Sequence, residues 1–313
     1  AASDELLDKA MKRLKQDKDP GLLTTWFTTL RYRPMSAFRP EEVMYQGKSI
    51  MTLPPVITAE SPWLPKEMKL AEIVSANMAR GRKTLVFIEQ TGTRDIRDRL
   101  VQALNALVPE ASVQTLSSGD MKPAKRELWI ARHAPGMDVL LVNAGLVKTG
   151  LDLVMFNAIV FYETNTSLYT VWQSARRVWR LGQKHEVEVS FLAYEETVEA
   201  QLLDYMGEKM KHALLLYGDN AAGALVDSGG DDDFAREAVR RALEGKTYDS
   251  VGAVNGKSIF ATGTEQVVSI TTSPLSSPVA ASPTLPIVIE VAELVQLDLF
   301  GGATAIASSR RRK

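Results

Sequence analysis

Apolar residues in the middle of the chain occur as short runs separated by segments with helical spacing. Five runs have the length and residue types of buried strands: TLVFIE (84–89), SVQTL (112–116), DVLLVN (138–143), AIVFYE (158–163) and VEVSFLAY (187–194). Helices are predicted between and after them, at 93–107, 122–133, 167–182 and 197–216. Because strands that alternate with such helices pair in parallel, residues 61–218 are predicted to form an α/β domain, a parallel sheet flanked by helices.

The residues on either side of this segment have a different character. Residues 1–60 are predicted to be a helix followed by irregular chain, since prolines interrupt the later part. Residues 219–260 are predicted to contain a short helix and a linker. Residues 261–313 are rich in serine, threonine and proline at their start, which predicts a largely disordered tail.

Composition excludes several classes of protein. The 313 residues include no cysteine, which excludes disulfides and thiolate metal sites and agrees with a reducing compartment. The three histidines are far apart in sequence, so no metal site is predicted. No stretch approaches the roughly 20 apolar residues that span a membrane. The net charge of -1 leaves nucleic-acid binding open, because binding needs only a local basic groove.

The helix predicted at 167–182 carries the most informative polar residues. Gln173, Arg177 and Arg180 are spaced so that they share one helical face within roughly 60°. Trp172 and Trp179 fall on the opposite face and are predicted to be buried. The two arginines are therefore expected to face something polar, with a merely solvated basic face as the alternative.

Three segments in sequence order resemble motifs of the SWI/SNF-type translocases of helicase superfamily two. QSARRVWRLGQK (173–184) resembles motif six, and Gly150-Leu151-Asp152-Leu153 resembles the core of motif five. The segment GRKTLVFIEQ (81–90) resembles motif four, and AIVFYE resembles the strand after motif five, which ends in an acidic residue, here Glu163. The resemblance covers about residues 22–217 and implies a RecA-like C-terminal motor lobe, preceded by a helical segment that joins the two lobes.

The resemblance also implies a mechanism and site residues. The first lobe of such motors binds ATP and Mg²⁺, and the second lobe presents arginines to the γ-phosphate, a role that implies Arg177 and Arg180 as catalytic residues. Arginine suits this role because its planar fork stays charged and binds phosphate oxygens bidentately. The other residues implied at the nucleotide are Gln173, Gly150 and Asp152. Double-stranded DNA is the implied partner, with phosphate contacts at Lys148, Thr149, Gln90 and Thr91.

The printed sequence lacks the parts of a complete motor. Three GK[ST] triplets occur, but none has a glycine five residues before its own, as a phosphate-binding loop requires. No apolar strand ends in the pair of carboxylates expected for magnesium. We expect the first lobe to lie upstream or on another chain, and the isolated chain to be inactive as an ATPase.

The pentapeptide QLDLF (296–300) follows the Ser/Pro-rich stretch and resembles the motif by which bacterial replication and repair proteins bind the sliding clamp. That resemblance implies Gln296, Leu297, Leu299 and Phe300 as the contact residues. An element packed on the folded domain is the alternative. A clamp partner predicts a bacterial or phage protein of the cytoplasm, associated with the nucleoid.

Two other functions remain open at this stage. The chain could be a non-catalytic nucleic-acid-binding scaffold derived from such a lobe, or a lobe of a strand-separating helicase. An ATPase assay with the first lobe restored distinguishes the scaffold from a motor.

Overall fold

The computed structural model describes most of the first 206 residues. The described ranges are 2–17, 21–90, 92–117, 119–147, 151–163, 165, 167–179, 182–194, 197–203 and 206. The short helix predicted in 219–260 and the disordered tail predicted in 261–313 lie outside them. The described chain separates into two compact units, with the division between Leu64 and Pro65.

The first unit contains two helices and a hairpin. Its elements are α1 (Ala2–Asp17), α2 (Gly21–Ser36), β1 (Glu41–Tyr45) and β2 (Lys48–Leu53). The strands β1 and β2 pair antiparallel through a two-residue turn in which Gln46 and Gly47 both have positive φ. Such turns match the right-handed twist of the paired strands, and glycine occupies them without strain. The prediction of irregular chain here was wrong, because Pro40 and Pro54 flank the hairpin rather than interrupt it.

A fully buried arginine holds the end of α2 to the chain around the hairpin. The Arg33 guanidinium donates to the carbonyl oxygens of Ser36, Arg39 and Pro54, and one of its nitrogens lies 3.8 Å from the Glu41 carboxylate. A buried charge of this kind is tolerated only when its hydrogen bonds are made. Arg33 therefore ties the end of α2 to the residues that flank the hairpin.

The second unit has a five-stranded parallel sheet. Its helices are α3 (Pro65–Ala79), α4 (Arg97–Leu107), α5 (Pro123–His133), α6 (Ala144–Val147) and α7 (Leu168–Val178), and residues 198–203 are also helical. Its strands are β3 (Thr84–Ile88), β4 (Val113–Leu116), β5 (Val139–Asn143), β6 (Ala158–Phe161) and β7 (Glu188–Phe191), in the order β4-β5-β3-β6-β7. All four strand pairs are parallel. The prediction of an α/β, RecA-like parallel sheet flanked by helices is confirmed.

Right-handed crossovers between these strands assign the helices to two layers. The chain moves from β3 to β4 toward one side of the sheet. From β4 to β5, from β5 to β6 and from β6 to β7 it moves toward the other side. It therefore places α4 on one face and α5, α6 and α7 on the other. The packing agrees, since α3 lies against α4 and α6 lies against α7.

The core of the sheet contains a row of stacked phenylalanines. Phe87, Phe161 and Phe191 are in register on β3, β6 and β7, with ring centroids 4.9 and 4.7 Å apart. Residues at these positions pack side by side across neighbouring strands, so the row fixes their register. The carboxyl ends of β3, β6 and β7 consequently lie level at one edge of the sheet.

Replacing Arg33 with lysine tests the role of the buried guanidinium. Lysine keeps the charge but not the planar fork, so it cannot reproduce the hydrogen bonds of the guanidinium to the carbonyls of Arg39 and Pro54. We expect the free energy of unfolding to fall by about 2–4 kcal/mol, measured by chemical denaturation. The exposed Lys12→Arg exchange is the control and should leave stability unchanged; equal stability of both variants would refute the role assigned to Arg33.

Candidate functional site

The candidate site lies where β3, β5 and β6 end, at the carboxyl edge of the sheet. Open parallel sheets bind ligands at this edge, next to the point where the chain reverses its direction of winding. Here β3 lies between β5 and β6, and the chain leaves β3 toward the opposite face from the other connections. The segment that resembles motif four contains β3, and the segment that resembles motif five follows β5. Because β3 and β5 are paired, the fold brings the two segments side by side.

A buried carboxylate holds the backbone that follows β3. Glu163, two residues after β6, accepts hydrogen bonds through Oε2 from the backbone N–H groups of Glu89 at 2.7 Å and Gln90 at 2.9 Å. Only 3% of Glu163 is exposed. Burial raises its pKa to about 7, and the nearby Glu89 carboxylate adds to the rise, while the two backbone bonds and Lys66 oppose it. Sequence reasoning noted the acidic residue but not its partners.

Asparagines hold the same backbone from another side. Asn143, the last residue of β5, donates through Nδ2 to the Glu89 carbonyl at 2.5 Å and accepts from the Gly145 N–H at 2.7 Å. Asn165 donates to the Glu89 carboxylate at 3.4 Å. Three loops at the carboxyl edge are therefore linked through one short stretch of backbone.

Helix α7 packs through a stripe of small and aliphatic residues. Ser167 caps its start by accepting from the Thr170 N–H, and its buried residues include Val171, Ser174, Ala175 and Val178. The prediction that Trp172 and Trp179 are buried was wrong, because the buried face of α7 consists of the smaller side chains instead. The two tryptophans are half-buried instead, with ring centroids 6.4 Å apart, and the Arg176 guanidinium lies over both rings.

The helix ends earlier than its sequence predicts. Its last residue is Val178, and Trp179 has φ -96° and ψ 90°, which is outside the helical region. Arg180 lies outside the described residues, so the shared face of Arg177 and Arg180 stays a prediction. Gln173 and Arg177 remain on the helix, and both are half-buried.

Backbone contacts tie α7 to the segment that resembles motif five. The Leu153 N–H donates to the Arg177 carbonyl at 3.1 Å, and the Ser174 hydroxyl lies 3.4 Å from the Ala144 carbonyl. The Gln183 side-chain amide donates to the carbonyls of Val154 and Phe156, each at 3.0 Å, and of Val178 at 3.2 Å. These contacts join the two motifs into one body.

Of the other predicted site residues, some lie within the described ranges and others lie outside them. Asp152 accepts from the Val154 N–H at 3.4 Å, so its carboxylate supports a local turn. Gln90 is half-buried beside Glu163. The residues outside the described ranges are Thr91, Lys148, Thr149, Gly150, Arg180, Gln296, Leu297, Leu299 and Phe300.

A buried ionic cluster, which sequence reasoning missed, lies beneath the ends of β6 and β7. Lys66 is fully buried and its ammonium lies 2.6 Å from the Glu199 carboxylate, over the ring of Tyr162. On the same helix, α3, Glu67 forms two hydrogen bonds with Arg99, at 2.7 and 2.8 Å. Neither pair has a signal in local sequence, because each joins residues far apart along the chain.

Among the described residues, the GK[ST] triplet lacks the geometry of a phosphate-binding loop, and no cluster of magnesium ligands occurs. Gly47-Lys48-Ser49, one of the three GK[ST] triplets, lies in the turn and second strand of the hairpin. A phosphate-binding loop joins a strand to a helix instead, so this triplet is not one.

Within the described ranges, no group of three or more acidic or histidine side chains is arranged to hold a metal. No described helix is both long and apolar enough to cross a membrane.

Part of the chain is similar to a known family of protein domains. Residues 65–182 match the helicase conserved C-terminal domain. The prediction of a helicase-like C-terminal lobe is therefore confirmed for this part of the chain. The crystal structure of the C-terminal part of the Fun30 ATPase domain aligns with a TM-score of 0.41 and 17% identity, over 58% of this chain and 55% of that one.

Relatives among characterised proteins are similar to about half of the chain. The TATA-binding protein-associated factor mot1 of Schizosaccharomyces pombe is 25% identical over 149 residues, which cover 47% of this chain and 8% of that protein. The ATP-dependent helicase fft3 of the same yeast is 24% identical over 178 residues, covering 56% and 18%. The nuclear protein STH1/NPS1 of Saccharomyces cerevisiae is 23% identical over 134 residues, covering 42% and 10%. The chain thus spans less than a fifth of the length of these relatives.

The origin of the relatives corrects the predicted localisation. They are fungal proteins, and one is named a nuclear protein, so the prediction of a bacterial or phage protein of the cytoplasm was wrong. A match of five residues in the tail carried the bacterial assignment, and so short a segment does not specify lineage.

The raised pKa of Glu163 predicts a defined dependence of stability on pH. Between pH 4.5 and 7 the unfolded chain releases this proton while the folded chain keeps it, so stability falls as pH rises through this window. The loss should amount to about 3 kcal/mol. Glu163→Gln removes the titrating group, so denaturation at pH 5 and pH 8 should show a smaller loss in the variant. An identical pH dependence in both proteins would contradict the assigned pKa.

Proposed function

We propose that this chain is the C-terminal motor lobe of an ATP-dependent translocase or remodeller of double-stranded DNA, of the SWI/SNF type. The observation that carries the proposal is the linkage of α7 to the segment containing Leu153. It places the two segments that resemble motifs five and six in one body, with Arg177 at their junction. A motor needs such a link, because the response to nucleotide must reach the surface that holds DNA.

In this proposal Arg177 and Arg180 are arginine fingers for a nucleotide held by another lobe. ATP would supply the phosphoryl group, and Mg²⁺ would neutralise its charge. Both would be bound mainly by a first lobe, which this sequence does not contain. The Arg177 guanidinium stabilises charge that develops on the transferred phosphoryl oxygens. Gln173, one turn before Arg177 on α7, supports the same interface, together with Gly150 and Asp152.

The proposed DNA contacts follow β3 and α6 in the sequence, and of their residues only Gln90 lies within the described ranges. Gln90 and Thr91 follow β3, and Lys148 and Thr149 follow α6. Polar and basic groups of this kind bind phosphates without regard to base sequence, as a translocase requires. Support comes from the hydrogen bonds of Glu163 and Asn143 that hold the backbone of Glu89 and Gln90, directly before Thr91.

Replacing Arg177 in the two-lobe protein tests the arginine-finger role. Arg177→Ala should lower DNA-stimulated ATP turnover by roughly 10³–10⁵-fold while ATP binding largely survives. Arg177→Lys should fail as well, because a point charge does not reproduce the fork. Turnover is measured by phosphate release, and binding by titration with a labelled nucleotide.

The adjacent arginine provides a matched control. Arg176 lies over the rings of Trp172 and Trp179, so Arg176→Ala removes a charge of the same type from the same helix. It should keep most of the turnover. A greater loss of ATP turnover from Arg176→Ala than from Arg177→Ala would reject the assignment. DNA-stimulated ATP turnover by this chain without a first lobe would reject it as well.

Two alternatives have different outcomes in the same assays. A non-catalytic scaffold would bind duplex DNA but show no ATP turnover when the first lobe is present. A lobe of a strand-separating helicase would support ATP-driven release of a labelled strand from a duplex. A translocase shows turnover that depends on duplex DNA and releases no strand.

For the tail we propose clamp binding through Gln296, Leu297, Leu299 and Phe300, supported by the pentapeptide alone. A short flexible peptide must be ordered on binding, so the dissociation constant should be on the order of micromolar. The test titrates a labelled peptide covering 290–303 against a sliding clamp. Binding that survives Leu299→Ala with Phe300→Ala, or no saturable binding, would exclude the clamp.

A further inference from the structure

The backbone of Glu89 and Gln90 is fixed by side chains from neighbouring strand ends. Glu163 receives both N–H groups, and Asn143 donates to the Glu89 carbonyl. The proposed chemistry at Arg177 uses none of these contacts. They act on the residues that connect β3 to the proposed DNA-binding loop.

We propose that Glu163 is a positioning residue whose ionised carboxylate holds Gln90 in place for duplex DNA, and that its protonation loosens this loop. The inference rests on the proposed function for its DNA part only. Glu163 itself is buried and does not touch the nucleic acid in this account.

The geometry supports a role specific to the carboxylate. Both N–H groups converge on the single oxygen Oε2, so one negative charge serves two successive backbone donors. Hydrogen bonds to an ionised acceptor are roughly twice as strong as those to a neutral one. Because Glu163 is buried, solvent does not replace a weakened bond, and the loop itself must adjust.

The charges around Glu163 place its ionisation close to neutral pH. Glu89, at the end of β3, disfavours the carboxylate, and Lys66, from α3, favours it. Burial is the largest influence, and together they raise the pKa to about 7. The carboxylate therefore changes its protonation between about pH 6 and pH 8.

Asn143 limits how far the backbone of Glu89 and Gln90 loosens when Glu163 is protonated. Its bond to the Glu89 carbonyl does not depend on pH in this range, so the backbone stays held on one side when Glu163 is protonated. Protonation is expected to increase local opening at Glu89 and Gln90 without releasing the strand that precedes them.

Amide hydrogen exchange tests the loop in the chain by itself. The backbone N–H groups of Glu89 and Gln90 are followed by mass spectrometry at pH 6 and pH 8, with labelling times scaled to the intrinsic exchange rate. Wild-type protection of these amides should be about tenfold lower at pH 6 than at pH 8. Glu163→Gln keeps an acceptor without a titrating proton, so its protection should not change with pH.

The direction in which amide protection changes with pH distinguishes a positioning role of Glu163 from a purely structural one. The domain as a whole becomes more stable as pH falls, so amides reporting on global stability, such as those of Leu141 in β5, should gain protection or keep it. Glu89 and Gln90 should lose protection over the same pH range. Parallel behaviour of both sets of amides would overturn the proposal.

Duplex binding by the same proteins tests the DNA part. Affinity for a labelled duplex, measured by fluorescence anisotropy at fixed salt, should fall from pH 8 to pH 6 by up to about tenfold in the wild type and by less in Glu163→Gln. Equal pH dependence in both proteins would overturn the positioning role while leaving the proposed function intact. A third outcome is that the amides respond as expected but the chain binds no duplex at either pH. That outcome would overturn the proposed function, and with it the DNA part of this inference.

Discussion

The candidate site depends on one constraint, the need to satisfy backbone groups where buried parallel strands end. Each strand that stops inside the protein leaves N–H and C=O groups without a ladder partner, and leaving such groups unpaired is costly. Glu163, Asn143 and Gln183 provide the missing partners. Because each reaches from one loop to another, the side chains that satisfy the backbone also set the spacing of the loops.

The attachment of α7 follows the same principle. Its small residues allow a close approach to the segment after β5, and its Arg177 carbonyl accepts a hydrogen bond from Leu153. The Arg177 side chain therefore starts from a backbone position fixed by the sheet. On another part of the helix, Arg176 lies across two half-buried tryptophans. Neighbouring arginines on one helix thus have different surroundings, and residue type alone does not reveal the difference.

Sequence pattern predicted the sheet well because strand burial is a local signal. The five apolar runs correspond to β3–β7, each within two residues at its start. The hairpin around Gly47 is hidden in the sequence because Pro40 and Pro54 suggest breaks, although they lie beyond its strands. The helical spacing of the sequence continues past Val178, whereas the helix ends there. Hydrophobicity favours burial of Trp172 and Trp179, but both are half-buried beside the Arg176 guanidinium. The partners of Glu163 and Gln183 were not predictable, since tertiary structure creates them.

The pairing of Lys66 with Glu199 has a consequence for the order in which this lobe is assembled. The two residues are separated by 133 positions, and the lysine lies on the first helix of the second unit. During synthesis, the ammonium group of Lys66 has no counterion in its final position until the ribosome has released the chain past Glu199. Burying it earlier would leave an uncompensated charge in an apolar interior. The first helix of the lobe should therefore be among the last elements to reach its native place, although it is the first to be made.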